Sequence, residues 1–279
     1  MKLVVFDIDG TLTLGDGLGT RCFFDAFQDI FGPCQIDCRL TAYRESTDAG
    51  IALEALAMVW GRPATLEHIE SFKQAYLTLL ENEVTRREQA YRPMPGSRTA
   101  LIRLARDHGW TVGLATGNWQ KAASIKLASA GIEVGDAVGA YSEDGHTRAE
   151  VLAAAIARAA QSARRCASQP EAAPATRFTL QSATPAAGRY AKTSASQSGV
   201  GAAAPAARFE RVIYVGDQPW DKQAADLVGV PFLGIGSEER GGRLASCGAR
   251  VLEDYERFDL FVDALEECAA AGRKDAPIC

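Results

Sequence analysis

The chain of 279 residues has room for about two domains at roughly 150 residues each, and 47% hydrophobic content is enough for a sizeable core. Lys and Arg number 30 against 35 Asp and Glu, a formal net charge of -5, so no global cationic field is available for nucleic acid or an anionic membrane, and neither is expected as a partner. The 7 cysteines, an odd number with no Cys-x-x-Cys pair, fit reduced thiols better than a disulfide framework.

From the start of the chain, Leu3 to Phe6 is an apolar run too short for a signal-peptide core, and carboxylates follow at once. It predicts a buried strand. No stretch approaches the ~18 apolar residues of a spanning helix, so the expectation is a cytoplasmic protein, a monomer or homodimer. The strand runs into Asp7-Ile8-Asp9-Gly10-Thr11-Leu12. A period of two turns Asp7 and Asp9 to one side and Ile8 to the other, so two carboxylates share a small volume. Like charges that close need a cation or a proton between them. A divalent metal answers this economically, and oxygen ligands with a phosphate substrate favour magnesium. Gly10 permits a tight chain reversal.

Beyond Thr13 the strands vanish until about Tyr91, and segments such as RCFFDAFQDIF, GIALEALAMVW and LEHIESFKQAYLTLLENEV carry apolar residues at helical spacing. This predicts a helical domain over 14–91, inserted into a core made of 1–13 and 92–279. Pro93, Pro95 and Gly96 mark the return, and SRTALIRLARDHG reads as a core helix ending near Gly109. Thr111 to Ala115 is the next strand. Thr116-Gly117-Asn118 follows it and precedes the helical WQKAASIKLASAG. A hydroxyl and free N–H groups there suit an anion, although the same residues make a good N-cap. Residues 161–207, rich in Ala, Ser, Pro, Gln and Gly, have too little apolar side chain to offset ordering entropy and read as a disordered insert. The strands Arg211 to Val215 and Pro231 to Ile235 flank Gly216-Asp217-Gln218-Pro219-Trp220-Asp221 and a helical stretch. Strands alternating with helices predict an α/β fold with a Rossmann-like parallel sheet. In such sheets ligands sit beyond the carboxyl ends of strands, where Asp7, Asp9, Thr116 to Asn118 and Asp217 all lie. His68, His108 and His146 show no ligand spacing.

The first acidic motif resembles that of the haloacid dehalogenase superfamily, Asp-x-Asp-Gly-Thr-Leu/Val at the end of the first strand. Thr116-Gly117-Asn118 is similar to the family's second motif, and Gly216-Asp217 with Asp221 to its fourth. The resemblance implies that Asp7 is the nucleophile and forms an aspartyl-phosphate. It implies that Asp9 protonates the leaving oxygen and then activates water, and that Thr116, Gly117 and Asn118 bind the phosphoryl group. Magnesium would be held by Asp7, Asp9, Asp217 and Asp221. A second aspartate separates the family's phosphatases from its dehalogenases, so carbon–halogen cleavage is disfavoured. The helical insertion would be the family's first-type cap, with Tyr43 to Gly50 either its specificity loop or a plain cap to the following helix. The third motif usually supplies a Lys, but Ser142 to Glu150 has none. Arg148 is therefore assigned that role. Lys126 is the alternative, about two turns into the helix after Thr116, where it should point away from the strand ends. The expected activity is a magnesium-dependent phosphatase similar to phosphoglycolate phosphatases, acting on a small phosphorylated metabolite. A phosphomutase of β-phosphoglucomutase type and a catalytically idle binding protein are the rivals.

Overall fold

A computed structural model describes residues 1–135, 137–168 and 209–271. Six parallel strands form one sheet: β1 (Lys2–Phe6), β4 (Trp110–Ala115), β5 (Val138–Ala140), β6 (Arg211–Gly216), β7 (Phe232–Ile235) and β8 (Arg250–Leu252), in the order β5-β4-β1-β6-β7-β8. β1 sits in the middle, in register with β4 from Lys2 opposite Trp110 and with β6 from Lys2 opposite Arg211. Its alternation sorts side chains onto two cores. Val4 and Phe6 face α4 (Ser97–Asp107), α5 (Gln120–Ser129) and α9 (Phe258–Ala271). Leu3 and Val5 face α6 (Arg148–Ser168), α7 (Pro219–Val228) and α8 (Glu238–Ser246). Burial on both faces explains why the run is continuously apolar rather than alternating.

The expected α/β architecture is present. The sequence reading passed over β5 and β8, which are three-residue edge strands. It also ended α6 too early: residues 161–165, expected to open the disordered insert, continue the helix, which runs to Ser168. The remainder of that insert, 169–207, lies outside the described residues.

The inserted helices are α1 (Leu18–Phe31), α2 (Asp48–Trp60) and α3 (Glu70–Arg86). They join the core through a short neck in which β2 (Thr13–Leu14) pairs antiparallel with β3 (Arg92–Pro93). Phe23, Phe27, Phe72 and Tyr76 form an edge-to-face aromatic cluster, with Phe23 and Phe72 centroids 4.9 Å apart. Trp119, from the core loop ahead of α5, inserts into this cluster and lies 6.2 Å from Phe23. The cap is thus packed onto the loop carrying Thr116 to Asn118, and an open cleft of about 420 Å³ lies between cap and strand ends. No helix among the described residues is long and apolar enough to cross a membrane.

Candidate active site

β1 delivers Asp7 to the cavity floor, where its own N–H still pairs with the Val215 carbonyl at 2.9 Å. The chain then turns sharply at Gly10, with φ of 73°. Only glycine fits here, because a Cβ would lie 2.1 Å from Asp217 Oδ2 as well as forcing a left-handed backbone. The close approach brings the first acidic strand end against the one after β6.

Three buried carboxylates meet there: Asp7, Asp217 and Asp221 offer oxygens within 4.8 Å of one another. Arg148, the first residue of α6, reaches Asp7 Oδ1 at 3.1 Å through Nη1 and Asp221 Oδ1 at 3.3 Å through Nε. Tyr214 donates its hydroxyl to Asp221 at 3.2 Å, and Gln218 donates Nε2 to Asp217 at 2.6 Å. Burial pushes the Asp7 carboxyl up to about 7 against the opposing pull of Arg148, with Asp221 and Asp9 adding to the rise. Asp217 is raised well above its ordinary range by burial, then by repulsion from Asp221 and Asp7. Burial raises Asp221 too, with Arg148 opposing. Arg240, 38% exposed, adds a second guanidinium 3.5 Å from Asp217 Oδ2, so two positive charges face three buried carboxylates and one negative charge is left over. A hard divalent cation among three oxygen donors fits this set, and magnesium is such an ion.

Asp9, expected among the metal ligands, does not join that cluster. Its carboxylate turns toward α5 of the core, where Oδ2 accepts from Lys126 Nζ at 2.5 Å and from Asn118 Nδ2 at 2.9 Å. Lys126 is the second correction. It was expected to point away from the strand ends, yet its side chain is 5% exposed and aimed at them. The reason is that the outward face of α5 is formed by Gln120, Lys121, Ser124 and Ala128, whereas Lys126 lies on the opposite side of the helix among the buried Ala122, Ala123, Ile125 and Leu127. Lys126 also donates to Asn118 Oδ1.

Gly117 and Asn118 line the cavity. Thr116 is fully buried beside them, its hydroxyl accepting from Asn118 Nδ2 at 2.8 Å. Tyr43 to Gly50 caps α2 and also reaches the cavity. Thr47 accepts from the Gly50 N–H at the start of α2 and donates to the His146 carbonyl at 2.8 Å. Asp48 accepts the Trp119 N–H at 2.8 Å, and Ser46 and Asp48 both line the cavity. The sequence reading missed Tyr91, Trp220 and Arg240, which also line it. The Tyr91 hydroxyl faces the Gly19 amide without a hydrogen bond of good geometry, and the Trp220 indole N–H has no partner among the described residues. Only for Trp220, which lies inside the fourth acidic motif, was there a sequence signal.

The haloacid dehalogenase-like hydrolase family model matches residues 1–171, a stretch that includes Asp7, Asp9, Thr116 to Asn118, Lys126 and Arg148 and ends before Asp217. No curated protein matches the sequence. Solved structures do resemble the fold. A hydrolase from Pseudomonas syringae aligns with a TM-score of 0.61 at 18% identity, over 94% of this chain and 98% of its own. CbbY from Rhodobacter sphaeroides, solved in complex with phosphate, aligns at 0.55 and 16% over 95% and 99%. A family IA, variant 3 hydrolase from Entamoeba histolytica aligns at 0.54 and 12% over 95% and 100%. The model match over more than half the chain, on a sheet whose strand ends carry the expected acidic residues, shows that this chain belongs to the haloacid dehalogenase-like hydrolase family.

Proposed function

We propose that the protein is a magnesium-dependent phosphatase that hydrolyses a small phosphorylated metabolite through an aspartyl-phosphate on Asp7. The observation that carries this reading is the separation of the carboxylates: Asp7, Asp217 and Asp221 converge, with Arg148 on Asp7 and Asp221, while Asp9 is held by Lys126 and Asn118. An Asp7 oxygen attacks phosphorus as the bond to the leaving oxygen breaks, and Asp9 gives that oxygen its proton. Asp9 then takes a proton from water, which attacks the same phosphorus and frees Asp7. Arg148 keeps positive charge beside the attacking carboxylate through both steps, and the Gly117 and Asn118 segment contacts the phosphoryl group. Magnesium held by Asp7, Asp217 and Asp221 would supply the charge that lets these carboxylates ionise together and offsets that of the phosphoryl group.

A cleft of about 420 Å³ has room for a small phosphorylated molecule. Docking of Asp48 and Thr47 onto the core places cap residues over the site and restricts water. The phosphate held by CbbY, a protein of the same fold, is consistent with the reading. The test is a panel of phosphorylated metabolites assayed with magnesium and again after chelation. Free phosphate that disappears with the metal is expected. A sugar phosphate returned as its isomer without phosphate release would instead make the protein a mutase. An inert chain, silent even toward an aryl phosphate, would leave only a binding role.

A further inference from the structure

Lys126 is a buried cation with no task in the scheme above. Burial alone would favour loss of its proton, but the Asp9 carboxylate outweighs this and holds the lysine well above its ordinary range. An ion pair removed from water contributes little net stability, because desolvation consumes most of the Coulombic gain. The geometry gives another reason for it. Lys126 Nζ and Asn118 Nδ2 both donate to Asp9 Oδ2, and Lys126 in turn holds Asn118 through its carbonyl oxygen. Asp9 Oδ1 takes no hydrogen bond from any described residue, and the side chain is 44% exposed on the cavity side. One oxygen is clamped and the other is free.

The clamp stands where the chain passes between core and cap. A Cβ at Gly19, in the first turn of α1, would come within 3.0 Å of Lys126 Nζ, and the Tyr91 ring near the return neck has its centroid 5.9 Å from the same atom. Glycine at position 19 therefore leaves the room the ammonium needs.

We infer that Lys126 is a positioning residue: with Asn118 it fixes one oxygen of Asp9 so that the other is presented to the leaving oxygen of the substrate. This rests on the phosphatase reading, since the proton is needed only where a phosphoester bond breaks. Asp9 Oδ1 carries that proton, the electrons of the P–O bond go to the departing oxygen, and the oxygen leaves as a neutral hydroxyl. Such help matters most for a poor leaving group. An alkyl ester must be protonated as it departs, whereas a nitrophenolate leaves as a stable anion.

The test compares magnesium-supported phosphate release from glycerol 2-phosphate and from 4-nitrophenyl phosphate by the parent, Lys126→Met and Lys126→Arg. In Lys126→Met, kcat on the alkyl ester should fall at least about tenfold more than on the aryl ester, with KM nearly unchanged, and Lys126→Arg should recover part of the alkyl activity. Equal losses on both esters, a change confined to KM, or no loss would overturn the inference. A variant carrying Asp9→Asn and Lys126→Met removes both charges of the pair and so gives a readout even if the single Lys126→Met fails to fold. Its rate on the aryl ester should match that of Asp9→Asn within about twofold, and a further tenfold loss would show that Lys126 acts through something other than Asp9. If the parent turns over neither ester, the phosphatase reading fails and this inference fails with it. An active parent with unselective losses overturns the inference alone.

Discussion

Arg148 and Lys126 are two buried cations that reach the same strand ends from opposite directions. Arg148 stands in the first turn of α6, where the helix dipole opposes a positive charge, and is held by Asp7 and Asp221. Lys126 stands in the last turn of α5, where the dipole favours it, and is held by Asp9 and Asn118. The first is tolerated only because the carboxylates of the site require it. The second is supported by its own helix and by the packing of cap on core. The difference divides the site into a half built around Asp7, Asp217 and Asp221 and a half built around Asp9.

Breaking the first half should have the larger effects. Asp7→Asn keeps the shape of the side chain but removes the attacking carboxylate, and turnover should fall by about three orders of magnitude or more in a variant that still folds by circular dichroism. Near-parental phosphate release by a pure, folded Asp7→Asn protein would dispose of the covalent route. Arg148→Ala should cost on the order of a hundredfold in kcat. Arg148→Lys should keep part of the rate, because an ammonium retains the charge but cannot touch Asp7 and Asp221 with one rigid fork. Equal rates for the two variants would mean that a positive charge without the fork contributes nothing.

The second half offers a gentler probe through Asp48, which closes the cap over Trp119. Burial pushes its carboxyl up to about 6, against the pull of Lys126 and the Trp119 amide. Because the folded protein binds this proton more tightly than the unfolded chain does, the stability it contributes is complete below the ordinary value of 3.8 and is lost as pH rises through about 6. Thermal melts between these limits should show the parent losing up to about 2 kcal/mol more than Asp48→Asn as pH rises. Parallel melting curves for the two proteins would contradict this.

The smallest effect is expected away from both halves. Exchanging residues 169–207 for a short Gly/Ser linker should leave turnover within about twofold, since loop closure depends only logarithmically on length. Loss of turnover or of soluble expression would show that the segment contributes to packing or to the site.

Local pattern was enough for the central strands and for the acidic residues that end them. A run such as Leu3 to Phe6 is apolar at every position only when both faces are covered, and that required helices on both sides of a parallel sheet. Asp7, Asp217 and Asp221 could be read the same way, because a strand end or a first helical turn fixes where such a side chain emerges. The three-residue edge strands β5 and β8 could not, since Val-Gly-Ala and Arg-Val-Leu carry too little alternation to signal a strand without a neighbour to pair with.

The direction of Lys126, the turn of Asp9 away from the cluster of Asp7, Asp217 and Asp221 and the presence of Tyr91 in the cavity were decided by tertiary structure alone. Each depends on how segments distant in sequence pack: cap against α5, Asn118 against Asp9, and the return neck against the first turn of α1. Asp9 shows the limit most clearly. Its period with Asp7 gives the side of the strand from which it emerges, but the carboxylate goes to whichever charge is nearer, and Lys126 is 117 residues away in the chain.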